Sequence, residues 1–480
     1  MKINYQNIFF VLSRIFLIEV FAVLSCIIIA LIYNEPITPF VYTSAILLAL
    51  TAALMHFTRT YKVEKIYVRD AYLTVTLAWL FTAVAGALPY LFSGSIPSFT
   101  DAFFESSSGF TTTGSSILKD IEILPKSILF WRSMTHWVGG IGIVVLVIVI
   151  VPSLNIGGQS LFSLESSFQE KIHARTKTVA RSLVLIYVGL TVLQIILLMA
   201  GNMNWYESIC HAFGTVATGG FSPKNSSFIE YSPYLQYVTA IFMLLAATNF
   251  VIHFYFVTGD FRKIKQNDEW KFFITFVLAV TLIVTFILYQ NREFGLEKSF
   301  RDAFFQVISI ISCTGFVSDD YMLWPTTGLL IIFFIMFAGG SVGSTSGGIK
   351  MLRHMILVRG LKKQFNKLMN PHSVNPVKVN GKALSSNTTQ AVYTFIVWYF
   401  LVFLAGTMLM VAIGTNIQTS ASSVATTMAG IGPGLGSVGA VSNFSEIPEA
   451  GKILLAFLMI IGRLELYTFL AIFSRSFRNK

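Results

Sequence analysis

Four short segments hold the residues whose types and spacing imply chemistry. They read DAFFESSSGFTTTG (101–114), ESICHAFGTVATGG (207–220), DAFFQVISIISCTG (302–315) and TSASSVATTMAGIG (419–432), and they align without gaps. Each opens on Asp, Glu or Thr and closes on Gly at the same spacing. Asp101, Asp302 and Thr419 suit a helix N-terminus, where an acid or hydroxyl meets the positive end of the dipole. Two to three turns of small and apolar residues would follow, so each helix stops partway through a bilayer. Its C-terminal end carries partial negative charge, which favours a cation. The chain then returns through Thr, Ser, Ala and Gly. Irregular backbone at that depth persists only when buried in protein or lining a water-filled path. Gly allows the dihedrals that turn carbonyls toward a common axis, and four such loops would form a ring able to replace an ion's hydration shell. Equal spacing selects Gly220 over Gly219 as the closing glycine of the second loop, since Gly220 precedes Phe221 as Gly315 precedes Phe316.

Other chemistries lack their residues. No HExxH or paired metal spacing accompanies the seven histidines, and His136 and His211 near the loops suit structural hydrogen bonding. There is no Ser-His-Asp logic, no phosphate-binding GxxxxGK[ST], and no strand ahead of the glycines at 430–436. The sequence therefore implies no enzyme and no covalently bound cofactor. Cys26, Cys210 and Cys313 form neither a disulfide framework nor a CxxC pair.

The elements that must position these loops are membrane helices. Only 12% of the 480 residues are charged and 54% are hydrophobic, against about 25% charged in a soluble domain. Apolar runs long enough to span fall near 8–33, 37–57, 70–94, 127–152, 178–201, 232–258, 270–290, 325–358, 388–413 and 447–474. The first run is too long for a signal peptide, and Val23-Leu24-Ser25-Cys26 reads as mid-helix rather than as a lipoprotein cleavage site. Solid apolar runs also exclude a β-barrel, whose strands alternate. Most of the 34 Lys and Arg fall at 58–69, 171–181, 262–271, 350–382 and the C-terminal tail. Ten spans place all five on one side, so these loops and both termini are expected to be cytoplasmic, and all four loop segments to face outward. The net charge of +11 is thereby accounted for without nucleic acid.

The expected fold is an all-α polytopic membrane protein. Two N-terminal spans (1–69) precede four pseudo-repeated helix–pore loop–helix units around a central pore: 70–152, 153–258 with a cytoplasmic connector, 259–360, and 361–480 with another connector. In the third unit, GGSVGSTSGG (339–348) interrupts an apolar span with five glycines, and each Gly costs a helix about 1 kcal/mol relative to Ala. The helix is expected to break there, although a small-residue packing surface is an alternative. Arg463 lies well inside the last span with Glu465 beside it, and an intramembrane charge is a functional candidate by default.

These residues resemble the Trk/Ktr/HKT superfamily of potassium transporters. TTTGSS (111–116), ATGGFS (217–222), SCTGF (312–316) and AGIGPGLG (429–436) are similar to its four filter loops. HWVGGIGIVVL (136–146), GGSVGSTSGGIK (339–350) and GRLE (462–465) are similar to its second-helix signatures. The resemblance covers about 70–474, and the two additional N-terminal helices favour the bacterial Trk branch over the shorter Ktr branch. It implies a potassium filter built from Thr112, Thr113, Gly114, Thr218, Gly219, Gly220, Cys313, Thr314, Gly315, Gly430, Ile431 and Gly432. The fourth loop departs from Thr-x-Gly, so fourfold symmetry there is expected to be approximate. Lacking a repeated TVGYG, the filter should discriminate less strongly against sodium and should pass rubidium.

The resemblance further implies a gate at 339–350, with Gly339, Gly340, Gly343, Gly347 and Gly348 supplying flexibility. Lys350 would either anchor the broken helix or add a positive barrier. Arg463 would sit beneath the filter and shorten ion dwell by repulsion, and the alternative is a salt bridge to Glu105. The basic stretches 153–181 and 360–385 read by themselves as solvated loops facing lipid phosphates, and the resemblance adds a docking surface for a TrkA-type nucleotide-binding cytoplasmic ring. A homodimer in the bacterial inner membrane is also implied. Potassium is thus the transported ligand. The competing functions are a sodium-coupled potassium symporter of the Ktr type and, from a different class, a membrane transferase, which would need clustered acids or histidines that the sequence does not supply.

Overall fold

The computed structural model of the protein describes residues 5–59, 68–145, 169–292, 294–372, 375–464 and 466. Lys62, Lys65, the stretch 146–168, Glu465 and the tail with Arg475, Arg478 and Lys480 lie outside the described residues, as do the side chains of Lys171, Arg175 and Lys177.

The described chain is mostly helical with almost no strand. In order it forms α1 (Tyr5–Ile32), α2 (Thr38–Phe57), α3 (Val68–Gly86), α4 (Leu88–Phe92), α5 (Phe99–Phe110), α6 (Lys126–Val145) and α7 (Gln169–Ala200). Then come α8 (Trp205–Val216), α9 (Pro233–Ala246), α10 (Phe250–Val257), α11 (Phe261–Lys265) and α12 (Asp268–Asn291). The rest is α13 (Leu296–Ile311), α14 (Thr326–Ile335), α15 (Met351–Met369), α16 (Ser386–Ala412), α17 (Ile417–Ala429) and α18 (Glu449–Arg463). One two-residue hairpin pairs Lys378–Val379 with Lys382–Ala383. Its turn is Asn380-Gly381, both at positive φ (50° and 77°), the conformation that an Asn-Gly hairpin favours.

Six helices among the described residues are long and apolar enough to cross a bilayer, and a bent pair makes a seventh. The expected spans at 127–152, 325–358 and 447–474 contribute α6, the short α14 and α18 within those residues. The expected break at 339–348 is present, since α14 ends at Ile335 and α15 begins at Met351.

The expected continuous span at 232–258 is not present. The chain bends by 102° between α9 and α10. Asn249 is the cause on the α10 side, because its side chain accepts from Val251 N at 2.8 Å and so caps a new helix. Backbone groups left over at the bend are taken up by 339–350: Ser341 N donates to Ala247 O (2.9 Å) and Phe250 N to Gly343 O (3.1 Å). A polar pair, Thr248-Asn249, inside an apolar run was the available signal.

Helix α1 packs along α2, α3 and α6 and so ties the N-terminal pair to the first unit. The core sits behind the loops, where Phe104, Phe110, Trp131, Phe221, Phe228, Phe305, Phe316 and Tyr321 are buried. Trp131 donates through Nε1 to Gly86 O at 3.1 Å, which fixes α6 to the end of α3.

Candidate functional site

The four aligned segments become α5, α8, α13 and α17, each followed by an extended return. With 12, 12, 16 and 13 residues, these helices are too short to cross a hydrocarbon core of about 30 Å at about 1.5 Å per residue. Their starts differ from expectation. The caps are Ser98, Asn204 and Asn416, whose side chains accept from Asp101 N, Glu207 N and Thr419 N. Helix α13 begins after Gly295, which puts Asp302 in its interior. Asp101 and Thr419 therefore lie in the first turn, because the side chain three positions earlier reaches their amides, and Asp302 lies deeper because its helix starts at Leu296.

Beyond the helices the four loops share one backbone form. Thr113 N donates to Ser108 O (2.8 Å), Gly219 N to Gly214 O (2.7 Å), Thr314 N to Ser309 O (2.9 Å) and Ile431 N to Thr426 O (2.9 Å). Each of these bonds reaches back five residues, at the aligned position. The left-handed region is occupied at Thr112, Thr218, Cys313 and Gly430 (φ 52°, 54°, 59° and 70°). It is occupied again two residues later at Gly114, Gly220, Gly315 and Gly432 (φ 83°, 83°, 81° and 101°). A threonine there is an outlier that the surroundings must enforce. The fourth loop, which lacks Thr-x-Gly, still follows the pattern, with Gly430 adopting the strained conformation at less cost.

The loops close into a ring. A Cβ added at Gly114 would lie 2.2 Å from Gly219 O, one at Gly220 2.0 Å from Thr314 O, and one at Gly315 1.8 Å from Ile431 O. At Gly432 it would lie 2.9 Å from Thr113 O, which completes the circuit. Each closing glycine thus backs onto the carbonyl preceding the equivalent glycine of the next loop. Any side chain at these positions would force the four strands apart. In the first and third loops a hydroxyl pair braces the strand: Thr111 with Thr113 and Ser312 with Thr314, both at 2.8 Å between oxygens. The second and fourth loops have Ala217 with Gly219 and Ala429 with Ile431 at those places. The Thr112 hydroxyl is buried without a hydrogen-bond partner among the described residues.

Side chains behind the ring join one loop to the next. The His136 ring nitrogens meet Gly109 O (2.7 Å) and Phe221 N (3.1 Å). The Phe221 amide can only donate, so Nε2 accepts and Nδ1 carries the proton toward Gly109. His211 bridges Glu207 O and Ser222 Oγ at 2.9 and 3.0 Å. Both histidines therefore serve structural hydrogen bonding. Glu105 does not pair with Arg463. Its carboxylate takes Arg132 Nε and Ser116 Oγ at 2.9 Å and Ile117 N at 2.9 Å, with Glu105, Arg132 and Ile117 buried and Ser116 partly so. Arg132 continues to Ser222 O at 3.2 Å and lies 4.1 Å over the Phe221 ring, so this pair spans the first and second loops. Lys452 Nζ meets Asp101 at 2.7 Å and ties α18 to α5, the fourth unit to the first. Arg132 and Lys452 are charges inside apolar segments, which was the signal for them; their partners were not readable from spacing.

Under the ring lies 339–350. Its ends meet as Gly339 N donates to Ile349 O (2.9 Å) and Met351 N to Gly340 O (3.0 Å). A Cβ at Gly347 would lie 2.1 Å from Ala429 O, and one at Gly348 3.5 Å from Cys313 Sγ. Thr345 Oγ1 donates to Val216 O at 3.1 Å and to Ala246 O at 3.2 Å. The loop therefore touches the C-terminal ends of three of the four short helices. Arg463 Nη1 donates to Thr345 O at 2.8 Å, while its Nε and Nη2 are buried without a hydrogen-bond partner among the described residues. Lys350 Nζ donates to Ser346 O, inside the loop itself. Glu269, which sequence reasoning missed, holds both ends of the loop: its Oε1 accepts from Val342 N (2.8 Å) and Leu352 N (3.2 Å). Among the described residues no group of His, Cys, Asp or Glu is placed to hold a metal ion. The polar atoms that the ring brings together are mainly backbone oxygens, the hard neutral donors that suit an alkali cation.

Comparison with known proteins agrees with this architecture. The family model described as "TrkH: Cation transport protein" matches residues 37–479. The Trk system potassium uptake protein TrkH of Escherichia coli K12 is 35% identical over 457 residues, which covers 94% of each chain. The TrkG protein of the same strain is 31% identical over 415 residues, 85% of each. The crystal structure of the potassium transporter TrkH from Vibrio parahaemolyticus superposes with a TM-score of 0.90 at 31% identity, covering 99% of both chains. These relatives bear the names of transport proteins, not of enzymes. With helices suited to a bilayer and a match over nearly its full length, the chain is an integral membrane protein of the TrkH cation transport family.

Proposed function

We propose that this chain is a potassium-uptake pore of the bacterial inner membrane. The closed circuit Gly114–Gly219, Gly220–Thr314, Gly315–Ile431, Gly432–Thr113 carries the reading. In it, the carbonyls of 112–114, 218–220, 313–315 and 430–432 replace the ion's water, and the innermost threonine hydroxyls assist. The relatives' names as potassium uptake proteins supply the ion.

Loop 339–350 acts as the gate, and its contacts under the ring support that role. Arg463, with two guanidinium nitrogens unsatisfied beneath the ring, limits how long an ion dwells there. The basic loops and both termini face the cytoplasm by charge asymmetry. A TrkA-type nucleotide-binding ring would act on the loop from that side, and the protein would work as a homodimer.

The test is rubidium uptake into liposomes holding the purified chain. Block by external potassium at far lower concentration than by sodium is expected. Equal block by both ions would overturn the filter assignment, and uptake that requires sodium would favour the symporter. If the chain alone is silent, deletion within 340–348 should release flux, and continued silence would count against a pore.

A further inference from the structure

The segment after the 102° bend has a surface that the transport reading leaves unused. α10 leaves the direction of α9 nearly at a right angle, and α12, a membrane-crossing helix, begins at Asp268. The residues between them therefore lie where the chain re-enters the bilayer. Phe256, Val257 and Phe261 are 64%, 75% and 54% exposed, and the two phenyl rings meet edge-on at 5.8 Å, forming one apolar patch. Arg262, Lys263 and Lys265 follow directly and are exposed. Lys263 is engaged by Asp260 at 2.6 Å, so Arg262 and Lys265 are the cations turned outward. Apolar rings beside basic side chains at the boundary of a span match the chemistry of an anionic lipid surface: rings in the acyl margin, cations on phosphate.

The other end of this arm is bonded to the intramembrane loop. Phe250 N donates to Gly343 O at 3.1 Å, Ala247 O accepts from Ser341 N at 2.9 Å, and Ala246 O accepts from Thr345 Oγ1 at 3.2 Å. Ala246, Ala247 and Phe250 therefore hold three loop residues, and the eight-residue α10, about two turns long, separates them from the exposed patch.

We propose that α10 and α11 form a docking surface for anionic phospholipid headgroups, and that this contact is relayed through the bend to loop 339–350. The relay rests on the gate assigned above; the docking does not. Lipid engagement pulls on α10, and α10 carries the backbone groups on which the loop rests.

The experiment uses the full chain with Phe256→Cys labelled by an environment-sensitive fluorophore. The native cysteines Cys26, Cys210 and Cys313 are buried, so the label goes to the new site. The chain is reconstituted in phosphatidylcholine alone and with phosphatidylglycerol added. The expected result is a blue-shifted, quencher-protected emission that grows with phosphatidylglycerol. Arg262→Gln with Lys265→Gln removes two cations and should lower the preference for anionic lipid by about thirty-fold. Rubidium uptake in unlabelled wild type should rise with phosphatidylglycerol and lose that dependence in the double variant. Emission indifferent to lipid charge, or changed only when a cytoplasmic protein is added, would overturn the docking. A lipid-sensitive emission with lipid-insensitive uptake would overturn the relay alone. Absence of uptake in every vesicle, with the 340–348 deletion silent as well, would count against conduction and with it the relay, while the emission still decides the docking.

Discussion

The sharpest perturbation of the loop is at Glu269. One carboxylate oxygen accepts from Val342 N at 2.8 Å and Leu352 N at 3.2 Å, so a single side chain clamps the two ends of 339–350. Glu269→Leu keeps a side chain of similar length but leaves two buried amides unsatisfied, at about 1–3 kcal/mol each. A net cost of roughly 3 kcal/mol to the packed loop shifts its closed-to-open ratio by about two decades. A loop open about 1% of the time would then be open about half the time. Glu269→Gln retains an acceptor without charge and should cost about half as much. The assay is initial rubidium uptake into liposomes, normalised to folded protein by size exclusion, with a 340–348 deletion as the fully open reference. The order expected is wild type, then Gln, then Leu, approaching the deletion. Equal uptake by all three substitution states beside a clearly faster deletion would refute the clamp. A Leu variant slower than wild type and still monodisperse would reverse its sign.

Three further outcomes follow from the geometry. Gly315→Ala places a methyl 1.8 Å from Ile431 O at a φ of 81°, so uptake should fall at least tenfold while the protein still purifies as a stable species; wild-type uptake would remove this glycine from the ring. Arg463→Ala removes the charge beneath the ring and should raise sodium leak relative to rubidium flux, and an unchanged ratio would sink its pore role. Arg132→Met leaves the Glu105 carboxylate buried without its cation, which costs about 3–5 kcal/mol; Glu105→Gln in the same chain should restore much of the thermal stability, and a double variant no better than the single would show that the two residues are not coupled.

How far the sequence could be read depended on where each signal lies. Equal spacing of four segments corresponds in the structure to four equal hydrogen bonds, because a backbone form fixed by local steps repeats wherever the steps repeat. Five glycines in ten residues announced the break before Met351. The starts of the short helices were misread by several residues because Ser98, Asn204 and Asn416 lie outside the aligned block. The bend at Asn249 was hidden by the apolar residues on both sides of it. Partners of buried charges were the least legible. Glu105 joins Arg132 across 27 positions through the packing of α5 on α6, and Lys452 joins Asp101 across 351, a pair that only the closed circuit brings together.

The hydroxyl pairs have a consequence of their own. They brace the first and third loops and are missing from the second and fourth, so opposite quadrants match while adjacent ones differ. The ring is therefore rhombic in stiffness, firm along one diagonal and softer along the other. In an assembly of four identical chains every substitution strikes four places at once, and such an inequality cannot arise. A single chain can alter one quadrant and leave three untouched. The shape of the ring can then change in quarter-sized steps.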